Sequence, residues 1–183
     1  MAYVELSHIP GVKTCWSGRF SDERGAFINF LGESSKDNAE ILIFETVAVS
    51  INTLKGTVRG IHIQKKPHAQ QKLVRCIKGT IYDVVLDLRA NSPTYLSWGT
   101  IYLTEQDEFA LYLPEGVAHG FQSITDDAII IYGINGKYDS NSELHINPND
   151  KDLAIPWPLA ISMMSQADYN GAAISELLQN SSW

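Results

Sequence analysis

The stretch VRGIHIQKKPHAQQKLVR sets His62 inside a strand-like run and follows it with cations. An imidazole takes up a proton near neutrality, so a histidine in this setting is a candidate general base. A base that draws a proton from a carbon next to a carbonyl leaves an enolate, which needs a positive charge already in place. Lys72 is the candidate for that charge, with Arg59 a second cation close by. Returning the proton from the opposite side requires a group that is protonated at neutrality, as a tyrosine hydroxyl is. Tyr132 and Tyr138 both stand near the end of the last strong strand-like run, and residue type alone does not choose between them. The competing readings are a histidine satisfied within a core and tyrosines packed on a strand.

The elements that must position these residues are short runs rich in Val, Ile, Thr and Tyr, each bounded by Gly, Pro, Asn or Asp. This is the pattern of antiparallel strands joined by turns. Strands are expected near 41–50, 57–64, 72–78, 80–89, 98–104, 109–114, 118–124 and 128–135, with a tight hairpin at Gly79 and turns at ANSPTY and at Asp126 and Asp127. Many strands without intervening helices predict an all-β, antiparallel double-sheet jelly roll. The sole helix expected is AAISELLQN, a short C-terminal helical segment. One domain over 1–183 is expected, with an N-terminal arm (1–40), a jelly-roll core (41–135) and a loop and helical tail (136–183). Side chains alternate along a strand, so Arg59 and His62 differ in parity and share a cavity only if a bulge intervenes. Gly60 is suited to supply it.

Composition narrows the partners. With 44% hydrophobic and 19% charged residues the chain is an ordered globular protein. A net charge of -7 disfavours nucleic acid and anionic membranes, so an anionic ligand needs a local positive patch. Lys55, Arg59, Lys65, Lys66, Lys72, Arg75 and Lys78 supply half of the 14 basic residues without an intervening acid. Cys15 and Cys76 lie far apart and form no metal or redox motif. The N-terminus lacks a signal-peptide pattern and no apolar run reaches about 18 residues, so a cytoplasmic protein is expected. A jelly roll with histidines also suggests a metal-binding cupin. Here GTVRGIH is followed by Ile63 and Gln64 where a second histidine ligand would stand, and PEGVAHG supplies only His119, so no metal is expected.

FSDERGAF, GTVRGIHIQ, QQKLVRCIKGTIYDVVLDLRANSPTY, LPEGVAHGF and IPWP, in this order and spacing, resemble the dTDP-4-dehydrorhamnose 3,5-epimerases, with a weaker echo at SQAD. The resemblance runs from about Gly18 to Trp157. It implies a cupin fold, a cofactor-independent isomerase and a homodimer whose N-terminal segment crosses to its partner. It also implies a nucleotide-diphosphosugar substrate whose 4-keto-6-deoxyhexose is inverted at C3, C5 or both. On this resemblance His62 is the base, Asp168 orients it, Tyr132 is the proton donor and Lys72 holds the C4 oxygen. Arg59 and His119 bind sugar and pyrophosphate, and Tyr138 lines the sugar pocket as a possible second donor. Asp83 orients His62 or Lys72, Gln64 and Glu143 are substrate contacts, and Arg24 belongs to the N-terminal arm.

The family pattern is departed from at Asn29, where a carboxylate is usual, at Val47 and Val49, where a Gln-x-Asn pair is usual, and at Ala167, where a lysine is frequent. These positions bear on the nucleotide, so CDP, GDP or UDP sugars stand beside dTDP sugars as substrates. A 3-only or 5-only epimerase, a 3,4-ketoisomerase, a non-catalytic sugar-nucleotide-binding cupin and a metal-dependent cupin oxygenase are the alternatives.

Overall fold

The computed structural model describes residues 5–30 and 44–179. Twelve strands occur among them: β1 (Lys13–Trp16), β2 (Arg19–Asp22), β3 (Gly25–Ile28), β4 (Thr46–Asn52), β5 (Val58–Gln64), β6 (Gln71–Lys78), β7 (Thr80–Asp87), β8 (Trp98–Thr104), β9 (Phe109–Leu113), β10 (Val117–Ser123), β11 (Ala128–Asn135) and β12 (Glu143–His145). Two antiparallel five-stranded sheets, β1-β9-β6-β11-β4 and β12-β5-β10-β7-β8, make the jelly roll, and β2 and β3 form a separate hairpin. Two short helices follow, α1 (Gln166–Tyr169) and α2 (Ile174–Gln179).

Alternation along the strands explains the layering. Val74, Cys76, Leu111, Leu113 and Ile130 of the first sheet meet Val85, Leu103 and Phe121 of the second in a buried core. On the outer face of the second sheet Ile61, Ile63, Val84 and Leu86 pack under the tail, against Ile146, Leu153, Ile155, Ile174 and Leu177. That sheet is therefore covered on both faces, which is why seven of the eight residues of β7 are buried, Asp83 and Asp87 among them. The tail is a lid over the second sheet, irregular in backbone but anchored by apolar side chains.

The eight expected strands are all present, although residues 41–43 of the first lie outside the described residues. The turn at Gly79 is a different object from the one expected. β6 and β7 do not pair; they belong to opposite sheets, and Gly79 (φ +75°) carries the chain across. A glycine at a sharp reversal has the same local pattern whether the next strand pairs with the last or leaves for the other sheet. The expectation of a single helix is also corrected, because Ser165 caps α1 by accepting from the Asp168 backbone N–H.

Candidate active site

β5 supplies two site residues by means of an irregularity. His62 lies opposite His119 of β10, and Arg59 lies opposite Phe121. Three steps on β5 thus match two on β10, so β5 carries one extra residue and Arg59 and His62 come to the same face. Gly60 (φ +96°) sits at the bulge, where a Cβ would stand 2.6 Å from the His119 carbonyl oxygen. No other residue type fits that place.

The same inner face of the jelly roll collects Lys72 from β6 and Tyr132 from β11. Together with Arg59, His62, His119 and Asp168 they line one cavity of about 460 Å³. His62 Nε2 is 2.5 Å from Asp168 Oδ1, across 106 residues of sequence. The α1 helix brings the carboxylate there and buries it, while the His62 side chain keeps 30% of its exposure. Burial by itself pushes the Asp168 carboxyl up. Hydrogen bonds from His62 and His145 outweigh that and hold it at about 2.

On the floor, His119 Nε2 is 2.7 Å from Asp83 Oδ2, both side chains being buried. Burial raises the Asp83 carboxyl, against the opposing pull of His119 and of Lys72. Lys72 is drawn below the usual lysine range by loss of water, with Glu143 and Asp83 acting to keep its charge. Burial pushes the half-buried Tyr132 hydroxyl far above its ordinary range, and Asp83 adds to the shift. Its ring stands edge-on to His119 with centroids 6.2 Å apart. The cavity therefore pairs a partly exposed imidazole with a half-buried cation and a firmly protonated phenol.

Other expected site residues lie elsewhere. Asp83 bonds His119 and not His62, because β7 and β10 are neighbours whose register sets Asp83 opposite Phe121, one diagonal step from His119, and its charge also acts on Lys72. Gln64 is spent on structure: its amide nitrogen donates to the carbonyls of His68 and Lys137, and its oxygen accepts from the Asp139 N–H. Tyr138 is 67% exposed and donates to Glu143 Oε2 at 2.8 Å, outside the cavity. Arg24 pairs with Asp22 on the β2–β3 hairpin, again away from the cavity within this chain. The basic run disperses, with Arg59 and Lys72 in the cavity and Arg75 buried against the carbonyl of Asp107. Val47 and Val49 alternate with Ala48, which lies opposite Tyr132, so their side chains are exposed on the other face of β4, with Val49 bordering the cavity at its rim.

His145 is the participant that sequence reading missed. Its Nδ1 is 3.0 Å from Asp168 Oδ1, its Nε2 is 3.6 Å from Glu143 Oε2, and its ring lies edge-on to His62 at 4.4 Å between centroids. The alternation in ELHIN, which sets Glu143 and His145 on one face, was the available signal.

Comparison with known proteins decides the family. The family model described as dTDP-4-dehydrorhamnose 3,5-epimerase matches residues 7–176. The chain belongs to the dTDP-4-dehydrorhamnose 3,5-epimerase family. An epimerase of that name from Shigella flexneri is 36% identical over 169 residues, covering 92% of this chain and 93% of the relative. The crystal structure of the Bacillus anthracis epimerase with TDP and PPi bound superposes with a TM-score of 0.85 at 32% identity, covering 94% of this chain and 98% of that one. ChmJ, a 3'-monoepimerase from Streptomyces bikiniensis, was solved with dTDP as a double mutant and gives a TM-score of 0.85 at 28% identity, covering 98% of this chain and 90% of that one. The all-β double sheet is thus the cupin-like fold of these epimerases, and the chain is an isomerase of the epimerase type.

Proposed function

We propose that this protein inverts C3, C5 or both of a nucleotide-diphospho-4-keto-6-deoxyhexose by proton abstraction and return, in nucleotide-deoxysugar biosynthesis. The observation that carries the reading is the convergence of His62, Lys72 and Tyr132 on one cavity, with Asp168 behind His62.

His62 gives its Nε2 to Asp168, which leaves Nδ1 as the atom that accepts the carbon-bound proton. The nearby carboxylate then stabilises the imidazolium, as the third member of a catalytic triad does. Electrons move onto the C4 oxygen, where the Lys72 ammonium meets the charge in a place poor in water. Tyr132 returns a proton to the opposite face and is replenished from solvent. Rotation of the sugar in the cavity presents the second carbon to the same groups. In ChmJ the doubly substituted histidine and tyrosine are spaced in that chain as His62 and Tyr132 are here, which supports both assignments. Arg59 binds the diphosphate, and His119 with Asp83 binds the sugar from the floor.

The names of the related proteins favour dTDP as the nucleotide. The β2–β3 hairpin pairs with no other described strand and exposes Phe20 (54%), Phe27 (69%) and Arg24. It is the segment to contact a second copy in a cytoplasmic homodimer and to bring Arg24, with Glu143 and Tyr138, to the nucleotide end of the pocket. No described helix is long and apolar enough to cross a membrane.

The test is turnover in heavy water with dTDP, CDP, GDP and UDP 4-keto sugars. Solvent deuterium is expected at C3, C5 or both. Undiminished exchange by His62→Asn would sink the assignment, and binding without any exchange would favour a non-catalytic sugar-binding cupin.

A further inference from the structure

We propose that His62, His145 and Asp168 form a binding site for a borderline divalent cation, Zn²⁺ in the first place, and that its occupancy silences proton transfer at His62. Their ligand atoms all lie within 4.8 Å of one another. Two imidazoles and one carboxylate are the donors that suit zinc, and three protein ligands leave a further position for water or substrate. Only His62 stands where a metal cupin has a ligand: His119 is engaged with Asp83, and the second imidazole comes from β12.

Three features of the arrangement support the site. Asp168 Oδ1 already faces both imidazoles, at 2.5 Å from His62 and 3.0 Å from His145. Tetrahedral zinc with bonds near 2.0–2.1 Å holds its ligands roughly 3.3 Å apart, so each imidazole nitrogen needs to draw back from Asp168 by less than about 1 Å, while the two nitrogens, which lie within 4.8 Å of each other, close by at most about 1.5 Å. The second feature lies behind His145, where Nδ1 faces the site while Nε2 is 3.6 Å from Glu143 Oε2. A ligating histidine ordinarily has a carboxylate at its other ring nitrogen, which fixes the ring and raises its basicity. The third is access, because His62 and His145 side chains keep 30% and 28% of their exposure beside the cavity.

The consequence for chemistry follows from proton accounting. Both nitrogens toward Asp168 carry protons when they hydrogen-bond to it. Zinc takes the lone pairs there, and each imidazole proton moves to the other ring nitrogen. On His62 that nitrogen is Nδ1, so the atom that accepts the substrate proton is filled. No bond to carbon is made or broken by the ion, and no redox step is involved. Binding rests on geometry alone, while the silencing rests on His62 being the base.

The experiment titrates the full-length protein with ZnCl₂ in chelator-free buffer, reading bound zinc by elemental analysis after dialysis and stability by thermal unfolding. One zinc per chain is expected, with a rise in melting temperature because the ion binds the folded form. His145→Ala and His145→Gln are expected to weaken zinc by more than about tenfold, the loss that even an outer-shell partner causes. The melting curve of each variant without zinc reports that it is folded. MgCl₂ is expected to do nothing, since magnesium demands oxygen ligands. Zinc bound equally by wild type and both variants, or not bound in stoichiometric amount, overturns the site. In the epimerase assay, inhibition by zinc relieved by EDTA supports the silencing. Stoichiometric zinc with undiminished turnover overturns it, and absence of turnover on every sugar nucleotide instead counts against the proposed function while leaving the site standing.

Discussion

Two histidine–aspartate pairs face one cavity from neighbouring strands, His62–Asp168 at its mouth and His119–Asp83 on its floor. The hydrogen bonds are similar, at 2.5 and 2.7 Å, and the surroundings are not. His62 keeps 30% of its side-chain exposure and His119 only 6%. Asp168 has two imidazoles on one oxygen and its carboxyl is held at about 2, whereas Asp83 Oδ1 is buried without a hydrogen-bond partner and its carboxyl is raised. A pair beside water can change charge during a reaction cycle at modest cost; a pair sealed from water cannot. Equal geometry thus divides into a pair fitted to move protons and a pair fitted to hold position and field.

Substitutions ought to separate the two. His62→Asn is expected to lower kcat by about 10²–10⁴-fold, the usual contribution of a general base, and to leave the melting temperature within a few degrees. Asp83→Ala is expected to act on the fold: breaking a buried pair costs about 3–5 kcal/mol, a melting temperature lower by roughly 10 °C in thermal unfolding. If Asp83→Ala unfolds normally and only kcat drops, the division of roles is wrong.

Tyr132→Phe tests the other side of the reaction. We expect about a 10²-fold loss of epimerised product, while deuterium still washes into recovered substrate through His62. Loss of both together would mean that Tyr132 serves in abstraction as well.

The smallest effect expected is on acid stability. The Asp168 carboxyl sits at about 2 in the fold against 3.8 ordinarily, so it stabilises the fold above pH about 4, and the stabilisation is lost as pH falls toward 2. Its size is about 2 kcal/mol and should vanish in Asp168→Asn. Asp83 contributes with the opposite sign: its raised carboxyl destabilises the fold at neutral pH, and the penalty is relieved as the group protonates. Acid titrations of unfolding in the two Asp→Asn variants should therefore deviate from wild type in opposite directions.

What could be read from the chain depended on how local the information was. The strands from 57 to 135 show themselves by branched and aromatic runs between turn residues, and the bulge at Gly60 was legible from the parity of Arg59 and His62. The strands β1, β2 and β3 were not, because four-residue strands with mostly exposed side chains carry little alternation. Partnerships across the fold were harder still. That Asp83 faces His119 depends on which strand lies beside β7, and the β6–β7 connection shows that adjacency in sequence does not decide it. Asp168 came into view only through the family resemblance, and His145 not at all, since the carboxylate they share lies on a helix of four residues.

The crowding at Gly60 has an evolutionary reading. A methyl group here meets main chain, the His119 carbonyl oxygen and the Gly120 Cα, which has nowhere to retreat. A library randomised at this codon and selected for turnover should return one amino acid, however freely its neighbours drift. The aim of the guanidinium three residues before the imidazole is thereby inherited through an atom that is missing.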